Sequence, residues 1–181
     1  MHRVRRPLPL FATTLLCLLS AIPRRAACEA QVPELYDSAA YTNGVLRLWT
    51  SDHRTVVPAP DSGEVGVDQI AISPDHRAVG WLVLHPNCCT SYPIPLALKV
   101  YTRGTLYSFT GVGLPIWRWR FEANGAQVSL YQETVHGGIG THYELRDVLG
   151  GRLLGQYEPA DSTAAPPWVA RLTGERPEPL R

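Results

Sequence analysis

Two predicted loops, 85–92 and 133–144, hold the side chains best suited to chemistry. Between them they carry two cysteines and three histidines. Thiolate and imidazole ligands together suit zinc or copper. The candidate metal ligands are His85, Cys88, Cys89, His136 and His142. Zinc sites more often show Cys-x₂₋₄-Cys spacing. The sequence therefore favours the alternative, in which the cysteines form a packed or oxidised turn and the histidines hydrogen-bond within loops.

A second set of candidate residues is aromatic and would bind by stacking. Trp117 and Trp119 are two positions apart, so in a strand they share one face, while Arg118 and Arg120 share the other. Tyr92 lies in the first of the two loops. The pattern favours tryptophans in the core and arginines in solvent. The alternative is an exposed platform on which a sugar or a peptide stacks.

The sequence gives little support to catalysis. It contains no Gly-x-Ser-x-Gly elbow, and the glycine-rich segment 135–140 lacks the Gly-Lys-Ser/Thr ending of a phosphate loop. Glu133 and Glu144 could form a carboxylate pair, but nothing in the sequence places them roughly 5–10 Å apart, as glycoside hydrolysis requires. We therefore predict no catalytic and no cofactor-binding residues, and an enzyme is the less favoured class.

The N-terminus has the pattern of a signal peptide, predicted over residues 1–30. A segment with three arginines precedes fifteen uncharged residues, 8–22, fewer than the ~20 that a membrane-spanning helix needs. Small residues near position 27 then indicate cleavage. An uncleaved anchor and a lipidated Cys28 are the alternatives. Cleavage predicts a periplasmic or secreted protein without a membrane span.

Removal of residues 1–30 changes the charge and the cysteine content. Eleven arginines, one lysine and fifteen acidic residues remain, a formal net charge of −3, which gives no broad electrostatic reason to bind nucleic acid. The adjacent Cys88 and Cys89 could form a vicinal disulfide, pair with another chain or stay as buried thiols. A protein or a glycan remains as the partner class, and oligomerisation remains open.

The rest of the sequence reads as short strands separated by turns. Val79, Trp81 and Val83 alternate with other residues and are predicted on one face of a strand. Asn124-Gly125 is a hairpin signal, because both residues tolerate positive φ. The predicted regions are an N-terminal extension over 31–44, a β domain over 45–157 and a proline-rich tail over 158–181. Within the tail, residues 168–172 are expected to pack one helical turn on the body.

Residues 69–110 and 114–157 read as two copies of one unit, with a half unit at 45–57. The segment 72–77 (Ile-Ser-Pro-Asp-His-Arg), followed by Val79-Gly80-Trp81, resembles the blade motif of TolB-like and WD-type propeller repeats. The resemblance implies four-stranded blades in which a Ser-Pro-Asp-Gly turn joins the innermost strands, although His76 replaces that glycine here. The wider stretch from His85–Tyr92 through Gly137-Gly138 also resembles a family of exported bacterial proteins to which no activity is attached.

About two and a half units cannot close a propeller, which needs ~4 blades. We therefore predict an all-β fold of antiparallel, blade-like meanders that forms an open sheet, a small sandwich or a barrel. The predicted function is a non-catalytic binding or protein-interaction module of the bacterial envelope, on the analogy of repeats that present loops to partners. The alternative is a thiol/His metal-binding or redox protein that uses the loops 85–92 and 133–144.

Overall fold

The computed structural model describes residues 34–137, 140–160 and 164–174. This part of the chain is mostly β-structure, arranged as three antiparallel sheets that do not close into a barrel. The predicted all-β class and open antiparallel architecture are therefore confirmed. The predicted signal peptide lies outside the described residues, and so does the end of the proline-rich tail.

Each sheet is an up-and-down meander of strands that follow one another along the chain. The first sheet contains β1 (Tyr36–Thr42), β2 (Val45–Thr50) and β3 (Thr55–Val56). The central sheet contains β4 (Gly66–Ile72), β5 (Ala78–His85), β6 (Ile94–Thr102) and β7 (Thr105–Thr110). The third sheet contains β8 (Ile116–Glu122), β9 (Gln127–Gln132), β10 (His142–Asp147) and β11 (Leu153–Tyr157). The strand β1 lies within the segment for which the sequence predicted an extension.

The central sheet is buried on both faces. The alternation predicted for β5 is present: Val79, Trp81 and Val83 pack against Leu46 and Leu48 of the first sheet. On the opposite face, a second cluster joins the central sheet to the third one. Its members include Leu82, Leu98, Val100, Phe109, Ile116, Trp119, Phe121 and Leu130. Apolar burial on two faces explains why β5 and β6 read as nearly continuous apolar runs.

The Trp119 ring packs against the backbone of β5 at Gly80 and joins the central and third sheets. A Cβ added to Gly80 would come within 2.3 Å of the Trp119 ring, so only glycine leaves room for it at this position. Trp119 also packs edge-to-face on Phe121, with ring centroids 5.0 Å apart. Its indole Nε1 donates a hydrogen bond of 3.0 Å to the carbonyl of Gln69. The Trp119 ring is therefore part of the hydrophobic core, and its one polar atom has a hydrogen-bond partner.

Facing bulges in β4 and β8 lock these two sheets together. Gln69 has a φ of +48°, and its side-chain amide donates to the Trp117 carbonyl at 2.8 Å. The register of β8 shifts between Ile116 and Arg118, which makes Trp117 the extra residue. The row that faces the core is therefore Ile116 and Trp119, and the predicted row of Trp117 with Trp119 is wrong. A bulge changes which residues face inward, which alternation alone does not reveal.

His76 connects the first sheet to the central one. Its φ is +61°, a conformation that favours glycine. Its Nδ1 donates a 2.9 Å hydrogen bond to the Tyr36 carbonyl, and the Tyr36 amide donates back to the His76 carbonyl at 2.7 Å. The histidine thus offsets its backbone cost with a side-chain contact that glycine could not make. That contact fixes the start of β1.

The helix α1 (Pro167–Gly174) covers the outer face of the third sheet. Val169 and Leu172 are buried against the tyrosines of that face, and Trp168 is half-buried there, as the predicted helical turn required. Arg118 and Arg120 donate to carbonyls of Thr173 and Arg171, at the negative end of the helix dipole. These two arginines therefore hold the helix rather than point into free solvent. No helix in the described ranges is long and apolar enough to cross a membrane.

Candidate binding site

A cavity of about 170 Å³ opens between the first and the central sheet. Apolar and aromatic side chains form most of its wall, and Trp81 of β5 contributes from the central sheet. The remaining wall comes from the turn between β1 and β2 and from the segment that follows β3. The lining residues are Tyr41, Gly44, Val45, Leu46, Val57, Pro58, Ala59, Pro60, Glu64 and Trp81. A pocket of this composition suits an apolar side chain.

The cavity exists because β3 leaves its partner after two residues. The β2–β3 ladder consists of the pairs Leu48–Val56 and Trp49–Thr55. Pro58 follows at once, and a proline cannot donate a ladder hydrogen bond. In the described part of the chain, the first half of β2 is therefore paired with β1 alone. The sheet ends here with an open strand edge beside an apolar pocket.

The backbone of Leu46 faces this open edge. The Thr50 amide donates to the Arg54 carbonyl on the β3 side, and backbone groups of alternate residues in a strand point the same way. The N–H and C=O of Leu46 therefore point toward β3, beyond the point where the β2–β3 ladder stops. An extended peptide placed there could bond with both groups, as an added strand does.

The loop between β3 and β4 is fixed by a buried lysine. Lys99, on β6, is only 2% exposed, and its Nζ lies 2.6 Å from Asp61 Oδ1 in the loop. The Glu64 carboxylate accepts a hydrogen bond of 3.0 Å from the Asp61 amide, which closes the loop on itself. One wall of the cavity is thus held from the central sheet. Val57 and Val65 nevertheless remain about half exposed at the two ends of the loop.

The predicted metal ligands do not assemble. Among the described residues, no three histidine, cysteine, aspartate or glutamate side chains lie close enough to hold one ion. Cys88 and Cys89 are exposed free thiols whose Sγ atoms lie 3.0 Å apart, which excludes the alternative of buried thiols. His85 ends β5, and His136 lies in the turn before Gly137. The zinc or copper site stays a prediction, and in the described residues its candidate ligands do not surround a common point.

His142 is part of a different, buried polar cluster on β10. Its Nδ1 lies 3.1 Å from a Glu158 oxygen and its Nε2 lies 3.3 Å from a Glu144 oxygen. Arg146 donates to the other Glu144 oxygen at 2.6 Å. Glu158 lies at Nδ1 of the ring and Glu144 lies at Nε2. The two carboxylates therefore could not bind one metal ion together with the same ring nitrogen. Arg146 thus pairs with the buried Glu144 carboxylate, while His142 Nε2 has no hydrogen-bond partner among the described residues.

The three aromatic candidates do not form one platform. Trp119 is 7% exposed and lies in the core, so its faces are unavailable to a sugar. Trp117 is half-buried and donates through Nε1 to the Glu133 carbonyl at 3.0 Å. Tyr92 is exposed in the cysteine loop. Sequence alternation could not separate the two tryptophans, because the bulge at Trp117 depends on the facing strand.

Two tyrosine–glutamate pairs occupy opposite ends of the fold. The Tyr36 hydroxyl donates to Glu34 beside the first sheet, and the Tyr131 hydroxyl donates to Glu133 on the third. Burial first, and then the hydrogen bond to the carboxylate, raises the pKa of each tyrosine above its usual range. Both phenols therefore stay neutral over the physiological range and act as structural donors.

A second cavity, of about 250 Å³, lies where turns of the central and third sheets meet. Gly125, at a φ of +98°, packs there against the turn that contains Ser73 and Asp75. Arg77 and Arg103 line the cavity together with Asp75 and Asp147, so charges of both signs surround it. Because both charges are present, the cavity does not select a ligand of one charge. The apolar cavity at the open edge of β2 is therefore the more specific candidate site.

No protein-family model matches the chain, and no curated protein is significantly similar to it. The evidence for the candidate site is therefore its geometry alone, without support from a relative. The sequence patterns indicated no candidate residue in the segment 58–66. A strand that is followed by alternating prolines, as at Pro58 and Pro60, was the signal that could have indicated an open edge.

Proposed function

We propose that the chain is a non-catalytic binding module of the bacterial envelope that takes up an extended segment of a partner protein. The segment would lie along the open half of β2 and place an apolar side chain in the cavity beside Trp81. The single observation that carries this proposal is the coincidence of an unpaired strand edge with an apolar pocket. Strand addition uses these two features together, backbone bonds for affinity and a pocket for specificity.

The dimensions and the chemistry favour a peptide over a sugar. The wall offers two valines, two prolines, Leu46, Tyr41 and Trp81, and Trp81 is only 2% exposed, whereas sugar binding relies on exposed ring faces with polar neighbours. Glu64 is the charged side chain of the lining, and it already accepts the amide of Asp61. The pocket therefore suits one aliphatic or small aromatic side chain, and the partner backbone would supply the polar contacts.

A displayed library of random linear peptides tests the proposal. We expect selected peptides to carry a shared apolar residue flanked by β-forming residues. Val57→Arg places a charge in the pocket wall and should weaken binding at least about tenfold, which is about 1.4 kcal/mol. The matched control is Val112→Arg, because both valines are 55% exposed and Val112 lies outside the cavity.

Three results would contradict the peptide proposal. The library could yield no binder, the two arginine variants could bind selected peptides equally, or the peptides could bind only where Tyr92 is intact. The thermal midpoints of both variants provide the check on folding, since a surface valine contributes little to stability.

The export of the chain belongs to the same proposal. Its support is the charged segment, the uncharged run at 8–22 and the small residues that follow it. N-terminal sequencing of the protein from the producing cell should find a start between residues 28 and 31. If the chain retains residue 1 and stays in the cytoplasm, the proposed location in the envelope is wrong. The proposed peptide site would be unaffected by that result.

The sequence makes a metal-binding protein the second candidate function. Among the described residues, however, no group of three potential ligands supports it. The thiol part of that alternative has a specific observation of its own, the close approach of the two sulfurs.

A further inference from the structure

Cys88 and Cys89 lie at the tip of a loop that holds them side by side. The Asn87 Oδ1 accepts the Cys89 amide at 3.3 Å, and Asn87 Nδ2 donates to Thr90 Oγ1 at 3.2 Å. Thr90 in turn donates to the Tyr92 carbonyl at 2.5 Å. At its base, the loop is closed by the ladder pair of His85 with Ile94. Internal hydrogen bonds therefore organise this turn, although it carries no core residue.

The two sulfurs are placed to react with one another. They are 3.0 Å apart, against about 2.05 Å in a disulfide bond, and both cysteines are exposed. The hydrogen bond to Cys88 and its negative charge raise the pKa of the Cys89 thiol. While Cys88 carries the negative charge, Cys89 keeps its proton, so we take Cys88 as the sulfur that attacks first. A thiolate with a second thiol beside it is the arrangement that resolves a mixed disulfide.

We propose that Cys88 and Cys89 form a redox-active dithiol that reduces disulfides and closes to a vicinal disulfide. In the first step the Cys88 thiolate attacks one sulfur of a disulfide R–S–S–R, forms a mixed disulfide and releases one R–S⁻. In the second step Cys89 loses its proton and attacks the Cys88 sulfur, which releases the second R–S⁻. The pair is oxidised by two electrons, the R–S–S–R bond is reduced, and the two thiol protons pass to the two released thiolates.

The proposal does not depend on peptide binding at β2, since the loop lies outside the residues that line that cavity. The thiols are open to solvent on a turn that neither buries them nor pairs them with a distant cysteine. Such a pair can exchange with a small disulfide or with an exposed disulfide of a protein. Oxidation would change the shape of this turn. Asn87 bonds to the backbone amide of Cys89 and so helps to hold the two sulfurs next to one another before the ring closes.

Mass spectrometry of the full chain after titration with oxidised glutathione tests the dithiol. Cleavage after Arg77 and Lys99 yields the peptide 78–99, which carries this pair and no other cysteine. We expect that peptide to lose the mass of two hydrogen atoms, with two glutathione molecules released per chain. The Cys89→Ser variant should stop at a stable glutathione adduct on Cys88. The Cys88→Ser variant should likewise stop at a stable adduct, on Cys89, because no second thiol is left to resolve it.

Each other outcome overturns the proposal. Stable glutathione adducts on the wild-type peptide would show that Cys89 does not resolve, and disulfide-linked dimers would show that the pair reacts between chains. A first adduct found on Cys89 of the wild-type peptide would remove the assignment of Cys88 as the attacking sulfur. Asn87→Ala should slow ring closure and leave adduct formation unchanged, a separation that a merely exposed thiol pair would not produce. Circular dichroism of all variants reports whether the β fold is retained.

Discussion

The central sheet makes two interfaces of different character. Against the third sheet it is closely packed: the Trp119 ring rests on the backbone at Gly80, and the two bulged strands exchange hydrogen bonds. Against the first sheet it leaves a cavity of about 170 Å³ beside Trp81. The third sheet has four strands and a helix over its outer face, whereas the first has three strands, the last of two residues.

The difference teaches where such a stack of sheets can accept a ligand. The strand faces of the central and third sheets pack closely, so the cavity on that side lies between their turns. The helix α1 covers the outer aromatic face of the third sheet. Within the described residues, the first sheet has three strands, and its short β3 leaves a gap and an unpaired stretch of β2 backbone at the same place. Stability and binding are thus separated in this fold: the third sheet contributes the tighter interface, and the first contributes the open edge.

Replacing Trp119 by alanine tests whether the closely packed interface supports the fold. We expect the free energy of unfolding to fall by about 3–5 kcal/mol, because a large buried ring is removed and Gln69 loses its donor. Urea titration followed by far-UV circular dichroism measures the change. The exposed Val112→Ala control should shift the free energy by less than about 0.5 kcal/mol. A similarly small loss for Trp119→Ala would contradict the packing described here.

Leu172→Ala tests the contribution of the helix to the covered end of the stack. Leu172 is buried against tyrosines of the third sheet, so its loss should cost about 2–3 kcal/mol. If α1 covers only that sheet, affinity for selected peptides at β2 should stay unchanged. Urea titration and fluorescence anisotropy with a labelled peptide measure the two effects. A parallel loss of peptide affinity would break the separation between the two ends.

Alkaline pH tests the buried phenol of the first sheet. Because the pKa of Tyr36 is raised in the folded state, its contribution to stability is present below its unfolded pKa of about 10 and declines as the pH rises beyond it. The free energy of unfolding should therefore decline more steeply in wild type than in Tyr36→Phe between pH about 10 and 11. Tyr131→Phe should reduce the steepness in the same way, since the pKa of Tyr131 is raised by the same causes. Equal slopes in all three proteins would contradict the assigned burial.

Local patterns predicted much of the fold. Alternation in β5 placed Val79, Trp81 and Val83 on the face that they occupy, and the turn at Asn124-Gly125 lies between β8 and β9 as expected. The strand β1 was not predicted, because its small and polar residues give little strand signal. It is held instead by bonds to His76, which lies forty residues away. Long-range contacts of this kind cannot be read from local sequence.

The candidate site was less accessible to prediction than the fold. The sequence indicated cysteines and histidines by residue type. The two cysteines lie side by side, but His142 faces Glu144 of its own strand and Glu158 beyond β11 instead of the thiols. The cavity is lined by residues that look ordinary one by one. It arises from a ladder that ends at Val56 and from a loop held by Lys99, and both depend on pairing across the sheets.

Amide hydrogen exchange at Leu46 and Leu48 tests the open edge of β2 most directly. Leu48 pairs with β3 and Leu46 lies beyond the end of that ladder, so in the free protein the Leu46 amide should exchange at least about tenfold faster. An excess of a selected peptide should slow exchange at Leu46 and leave Leu48 nearly unchanged. If the Leu46 amide is as protected as Leu48 in the free protein, or is unaffected while the peptide is bound, the open edge is not the binding site.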